Sequence, residues 1–85
     1  MNLKEVAIVI EQELKTEENF DGYISHFPYA EILNGGCLAS ACGFGKTRIK
    51  AQQDLAKSIA GRILVTHAYS TKRKEIRLPP KITLR

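Results

Sequence analysis

The segment Gly45-Lys46-Thr47 contains the residue types that bind phosphate groups. Phosphate-binding loops combine the N–H groups of a helix start with a lysine and a hydroxyl side chain. The complete nucleotide-binding motif also needs a glycine five residues before Gly45, where this chain has Ser40. Without that glycine, and without a strand–helix–strand framework, the sequence disfavours nucleotide hydrolysis. It favours a tight strand-to-helix turn with Thr47 as the helix cap. The alternative that stays open is that the same helix start, with Lys46 and Arg48 beside it, binds a backbone phosphate without catalysis.

A second group of cations lies nearer the end of the chain and includes its densest basic run. Lys72, Arg73 and Lys74 are consecutive, and Arg77 follows three residues later. Such a run is either a phosphate-binding finger or a solvated hairpin tip that keeps a sheet edge from pairing. The candidate nucleic-acid-binding residues of the two groups are Lys46, Thr47, Arg48, Lys50, Lys72, Arg73, Lys74 and Arg77.

The cysteines and histidines do not have the spacing of a metal or catalytic site. Cys37 and Cys42 are five residues apart, which places their thiols on opposite faces of a strand. Structural zinc sites usually pair ligands two to four residues apart. We therefore expect buried, unreactive cysteines, and half-buried strand histidines at His26 and His67. The sequence predicts no catalytic residue, no metal and no cofactor, and hence a protein that is not an enzyme.

Charge is divided unequally along the chain. Residues 1–43 contain two basic and seven acidic residues, a net charge of −5. Residues 44–85 contain eleven basic and two acidic residues, a net charge of +9. A polyanion or an acidic partner would meet a strong local field on the second half, so the asymmetry favours contact with nucleic acid.

Length and composition indicate one small globular domain over residues 1–85. The apolar fraction of 44% is ordinary for a folded protein, and two cysteines are too few for a disulfide scaffold. No run has the pattern of a signal peptide or the apolar density of a membrane span. We therefore expect a cytoplasmic protein with no membrane partner.

The first 33 residues predict one helix and then strands. Leu3, Val6, Ala7, Ile10 and Leu14 share a helical spacing, and Asn2 with Glu5 forms a capping box. The alternative is a buried strand over residues 6–10, which are all apolar. An acidic loop is expected at residues 16–19. Strand signals follow at residues 22–27 and 29–33, with an edge or a bend at Pro28.

The second half of the pattern adds a helix between strands. Asn34-Gly35 predicts a hairpin turn into a strand over residues 37–42. A helix begins after Thr47 and ends before Gly61. A strand over residues 63–69, a turn at residues 70–74 and a strand over residues 75–78 precede a short tail at residues 81–85. The predicted fold is α+β, an antiparallel sheet with helices on one face, in the order α-β-β-β-α-β-β.

The turn into the second helix resembles that of the double-stranded-RNA-binding domain. The matching residues are Gly43, Gly45, Thr47, Arg48 and Ala51. The resemblance implies a basic helix start that contacts phosphates across the groove of an RNA duplex. Two lysines of the family pattern are absent, because Ile49 and Gln52 stand in their places, and Lys46 and Lys50 lie at other positions.

A wider pattern resembles the HicB-like antitoxins, which share a β-β-β-α core. It comprises Asp21-Gly22-Tyr23, Phe27-Pro28, Gly36-Cys37 and the turn from Gly45 into the second helix. This resemblance implies a protein-interaction module that covers a small toxin ribonuclease. The segment from Gly61 to Pro79 is also similar to short bacterial and phage proteins, which implies no particular activity.

The sequence therefore leaves two functions open. The first is a small binding domain that contacts the backbone of RNA or DNA through its basic half. The second is a protein-interaction module, an antitoxin or a phage-borne inhibitor of a host protein. Tyr23, Phe27 and Tyr29 are its candidate apolar anchors, although core packing is the more usual role of such residues. An exposed edge strand also allows two copies to form a homodimer.

Overall fold

The apolar stripe after Asn2 forms helix α1, Leu3–Val9, in the computed structural model, which describes residues 1–84. Asn2 Oδ1 accepts the N–H of Glu5 at 2.8 Å, and Glu5 Oε1 accepts the N–H of Asn2 at 3.0 Å. The predicted capping box is confirmed, and the alternative strand is wrong. The helix ends before the stripe does, because Glu11 takes a positive φ of 55°. Leu14 packs against the core from the connection that follows.

Three strands follow: β1, Lys15–Asn19; β2, Gly22–Asn34; and β3, Cys37–Gly45. β1 pairs antiparallel with the first part of β2, so the prediction of an acidic loop at residues 16–19 is wrong. Most of its residues are exposed. An edge strand of this kind lacks the alternation of apolar and polar residues by which strands are predicted.

β2 is one continuous strand rather than two segments on either side of Pro28. Its pairing with β3 shifts in register between His26 and Glu31, where residues 27–30 oppose a single residue of β3. This bulge brings both Phe27 and Ala30 into the core, although they are three residues apart. Pro28, which has no N–H to donate, lies in the gap where no neighbouring strand pairs with β2.

The hairpin between β2 and β3 is confirmed, but its turn is displaced by one residue. Asn34 pairs with Cys37, so the two turn residues are Gly35 and Gly36 rather than Asn34 and Gly35. Gly35 takes a φ of 63°, which glycine adopts without steric cost. Asn34-Gly35 and Gly35-Gly36 can both adopt the backbone angles of a two-residue hairpin turn. The register of β2 against β3 places the turn at Gly35-Gly36.

Helix α2, Arg48–Ile59, begins and ends where the sequence predicts. Thr47 Oγ1 accepts the N–H of Lys50 at 3.1 Å, which confirms Thr47 as the N-cap. After the helix, Gly61 takes a φ of 70° and its N–H donates to the carbonyl of Pro79 at 2.7 Å. The helix is thus stopped by a glycine and tied to the segment that follows the last strand.

The last two strands, β4, Ile63–Thr66, and β5, Lys74–Arg77, form an antiparallel hairpin. The predicted strand over residues 63–69 is therefore too long, because His67 leaves the ladder with a φ of 51°. Consequently His67 lies outside the strand to which the sequence assigned it. Of the predicted tail, Ile82 packs against the core, and Arg85 lies outside the described residues.

β2 is the centre of the sheet and has three partners. β1 pairs with residues 22–26 and β4 with residues 30–33, on the same edge, while β3 occupies the other edge. The α+β class, the antiparallel sheet and the order α-β-β-β-α-β-β are confirmed. Both helices contribute to one core, whose members include Leu3, Val6, Phe27, Leu55, Ile59 and Leu64. Neither helix has the length and apolarity that a membrane crossing requires, over residues 1–84.

Candidate nucleic-acid interface

Lys46, Arg48 and Lys50 lie together around the N-terminal end of α2, and we call these three residues the helix-start patch. All three are exposed. They are close in sequence, so the local turn and the first helical turn bring them to one end of the domain. Thr47, which was predicted to belong to the same site, uses its hydroxyl oxygen to cap the helix.

Glycines fix the position of this helix start against the sheet. A Cβ atom on Gly43 would overlap the backbone of α2 at Leu55 N and Ala51 O. A Cβ atom on Gly45 would lie 2.5 Å from Ala51 N. Gly22, at the start of β2, is equally close to β3, because its Cβ would lie 2.5 Å from Gly45 O. The β1–β2 turn, the end of β3 and the start of α2 therefore meet with no room for side chains between them.

Arg48 is held in place by β1 and β2. Its Nη1 donates to the carbonyl of Thr16 at 2.9 Å, and its guanidinium lies 5.1 Å from the centre of the Tyr23 ring. Lys46 Nζ donates to the carbonyl of Asp21 at 3.3 Å. These partners are neutral carbonyl oxygens and a ring, so the contacts orient the cations without cancelling their charge.

No carboxylate within the described residues pairs with the helix-start patch. In residues 1–84 the ion pairs are His26–Glu17, at 3.4 Å, and Arg73–Glu75, at 3.0 Å. Glu18 lies in the adjacent strand β1 and Asp21 in the turn that follows it, and neither forms an ion pair with the patch among residues 1–84. The field of the patch is therefore local, and is weaker than the charge of the second half alone implies.

Aromatic side chains accompany the patch, although the sequence pattern did not indicate them as part of the site. Phe20 and Phe44 are exposed and line a depression of about 480 Å³ together with Tyr23 and Lys46. Phe20 occupies the two-residue turn between β1 and β2, while Phe44 is the second-last residue of β3. We call this feature the aromatic depression. An aromatic residue directly before Asp21-Gly22 is the sequence signal that could have indicated it.

The basic residues near the chain end, Lys72, Arg73, Lys74 and Arg77, which we call the hairpin cluster, are not gathered on one surface. Arg73 is paired with Glu75 and also donates to the carbonyl of Ala68 at 3.4 Å. Lys74 and Arg77 are three positions apart in β5, so their side chains leave opposite faces of the sheet. Lys74 is opposite Thr66 on the core side.

The helix-start patch and the hairpin cluster lie at different places along β2. Gly45, next to Lys46, pairs with Tyr23, whereas Thr66, the partner of Lys74, pairs with Ala30. Seven residues of strand separate those positions, which corresponds to about 20 Å. The eight predicted binding residues therefore form two separate groups rather than one continuous basic surface.

The cysteines and histidines are dispersed. Cys37 is exposed, which contradicts the expectation of two buried cysteines, because the hairpin turn leaves it at the solvent-exposed end of β3. Burial, and secondarily the charge of Asp54, raises the pKa of the Cys42 thiol. His26 is half-buried in β2, as predicted, and His67 is exposed and stacks on Tyr29 with ring centres 5.8 Å apart. No set of three or more metal-ligating side chains is grouped within residues 1–84.

The chain has no match among protein families, curated proteins or solved structures. The resemblances to the double-stranded-RNA-binding domain and to the HicB-like antitoxins therefore stay predictions. What the domain does has to be argued from its own residues.

Proposed function

We propose that this domain binds nucleic acid through the sugar–phosphate backbone, at the helix-start patch. The observation that carries the proposal is a set of three cations, Lys46, Arg48 and Lys50, on a rigid strand-to-helix junction. No carboxylate of residues 1–84 forms an ion pair with them. Phosphate contacts of this kind supply affinity and fix orientation, and they carry little sequence information.

The three cations have different roles in this proposal. Arg48 is anchored to the Thr16 carbonyl and the Tyr23 ring, so it presents its remaining donors from a fixed position. Lys50 has no side-chain partner within residues 1–84, and Lys46 has only the carbonyl of Asp21. The two lysines are therefore free to adjust to a phosphate, as flexible point charges do.

The hairpin cluster has a secondary role. Its central guanidinium is engaged by Glu75, and its members leave the sheet in two directions. The two groups of cations are about 20 Å apart along β2. A sugar–phosphate backbone bound at the helix-start patch would therefore need several nucleotides to extend to the hairpin cluster. The cluster thus adds general attraction for a polyanion rather than a defined contact.

The test compares two double variants that remove equal charge. Lys46→Gln/Lys50→Gln removes both lysines of the patch, and Lys57→Gln/Lys81→Gln removes two exposed lysines elsewhere. Affinity for a fluorescent oligonucleotide is measured across salt concentrations. We expect the salt slope of log affinity to fall by about 1.4–1.8 in the first variant, since each lost phosphate contact contributes about 0.7–0.9. The second variant should keep its slope.

Equal slopes in the two variants would show that net charge, not the patch, determines binding. The alternative function is a protein-interaction module, for which the exposed side chains of Tyr29 and Tyr69 are available as anchors. A pull-down from lysate with and without nuclease separates the two functions. A defined protein that remains bound after nuclease treatment, from a domain that binds no oligonucleotide, would overturn the proposal.

A further inference from the structure

The aromatic depression has the composition of a site for a flat, uncharged ring next to an anion. Phe20, Phe44 and Lys46 all line the same depression of about 480 Å³. Asn19 and Asp21 add polar atoms at its edge. Apolar ring faces with a few convergent polar groups are typical of small-ligand and base-binding sites.

Phe20 makes no contribution to the core. Its side chain is 100% exposed at the tip of the β1–β2 turn, and Phe44 is 55% exposed. Burying a phenylalanine side chain is worth about 1.5–3 kcal/mol, and this domain gains none of it from Phe20. A polar residue would serve a two-residue turn equally well, so packing does not explain a phenylalanine here.

The adjacent charges indicate what covers these rings. Lys46, the first cation of the helix-start patch, lines the depression together with Phe20 and Phe44. A partner that brings an aromatic face and a negative charge within a few ångströms of each other satisfies both features. A nucleotide unit does so, because its base and its phosphate are joined through one sugar.

We propose that the aromatic depression stacks an unpaired nucleobase on Phe20 and Phe44, while Lys46 contacts the adjoining phosphate. The ligand class is single-stranded nucleic acid, or an unpaired loop of RNA. This inference rests on the proposed function and narrows its ligand from any nucleic acid to unpaired nucleic acid. In a duplex each base face is covered by the neighbouring bases, whereas in a single strand it is free to stack on a protein side chain.

The experiment measures the binding of three fluorescent probes by anisotropy. They are a 12-nucleotide oligothymidine, the same length of backbone with abasic sites, and a 12-base-pair duplex. We expect the wild-type domain to prefer the oligothymidine over both other probes. Phe20→Ala should weaken its binding about 5- to 100-fold, the range for removing a base-stacking aromatic side chain, and should leave duplex binding unchanged.

Two further variants make the result specific. Tyr69→Ala removes another aromatic side chain, 89% exposed, that lies in the connection between β4 and β5, and it should change nothing. Phe20→Tyr retains a stacking ring and should bind as the wild type does. Because Phe20 packs against no core residue, its replacement leaves the fold intact, which circular dichroism verifies.

The failures of the two proposals are distinguishable. If the abasic and duplex probes bind as tightly as oligothymidine and Phe20→Ala has no effect, base stacking is excluded while backbone binding stands. An equal loss on all three probes in Phe20→Ala would also overturn base stacking. If no probe binds the wild-type domain, both proposals are overturned.

Discussion

The helix-start patch and the hairpin cluster show how differently one domain can use similar residues. The hairpin cluster contains the densest basic run in the chain, yet Arg73 is paired with Glu75, and Lys74 and Arg77 leave opposite faces of the sheet. The patch has fewer cations, but none of them has a carboxylate partner in the part of the chain that the structure describes. Density of charge along a sequence is therefore a poor guide to charge that a partner can reach.

Backbone geometry produces the difference. At the patch, glycines let β3, the β1–β2 turn and α2 approach until their backbones nearly touch. The backbone that carries the cations is consequently fixed relative to three elements. The hairpin cluster extends from a four-residue strand and the seven-residue connection at residues 67–73, which is held by turn hydrogen bonds and by the contacts of His67 with Tyr29. The junction thus anchors its cations at one place in the fold, whereas the hairpin divides its cations between a strand and a long connection.

The largest effect is expected from breaking the junction itself. Gly43→Ala would place a methyl group against the backbone of α2 at Leu55 and Ala51, so the helix must shift outward. We expect the free energy of unfolding to fall by about 2–3 kcal/mol, the cost of overpacking a close contact. Urea denaturation followed by circular dichroism measures it.

Gly36→Ala is the matched control for this substitution. A Cβ atom on Gly36 meets nothing within 4 Å, and the variant should change stability by less than about 1 kcal/mol. If the two variants unfold at the same urea concentration, the close junction between β3 and α2 does not exist in solution.

A smaller effect is expected from the arginine in each region. Arg48→Ala removes a hydrogen bond to Thr16 and a cation–π contact with Tyr23, and should cost about 1–2 kcal/mol of stability. Arg73→Ala removes an exposed ion pair and should cost about 0.5 kcal/mol or less. Thermal unfolding of the two variants measures the difference. Equal losses would mean that Arg48 is no more tightly held than a hairpin residue.

The smallest effect is expected on binding at the hairpin cluster. Lys72→Gln/Lys74→Gln removes two charges that lie on the hairpin, away from the close junction of β3 and α2. We expect the salt slope for oligonucleotide binding to change by less than about 0.5, against the larger change for the patch lysines. A change equal to that of the patch double variant would reverse the ranking of the two regions.

The ends of the helices were predictable, because each depends on chemistry within a few residues. Asn2 and Glu5 are three positions apart, and so are Thr47 and Lys50, whose hydrogen bonds cap α1 and α2. Gly61 stops α2 by the same local rule. The order of elements followed from these boundaries and the strand signals between them.

What the sequence did not indicate depends on contacts between distant residues. β1 is a strand because β2 pairs with it, whereas its own polar sequence predicts a loop. Arg48 reaches Thr16 across 32 positions, and Phe20 shares a depression with Phe44 because Gly22 lies against Gly45. The core-side position of Lys74 follows from the register of β5. Pairing register and backbone approach are set by the whole fold.

The bulge at Pro28 gives one strand two opposite phases of side-chain alternation. Ser25 and Phe27, at odd positions, face the core before it, and Ala30 and Ile32, at even positions, face the core after it. Polar substitutions are therefore tolerated at even positions of β2 before the bulge and at odd positions after it. Deleting a single residue between Phe27 and Ala30 would bring the two halves into one phase, so that a regular strand could turn both residues to the core without the bulge.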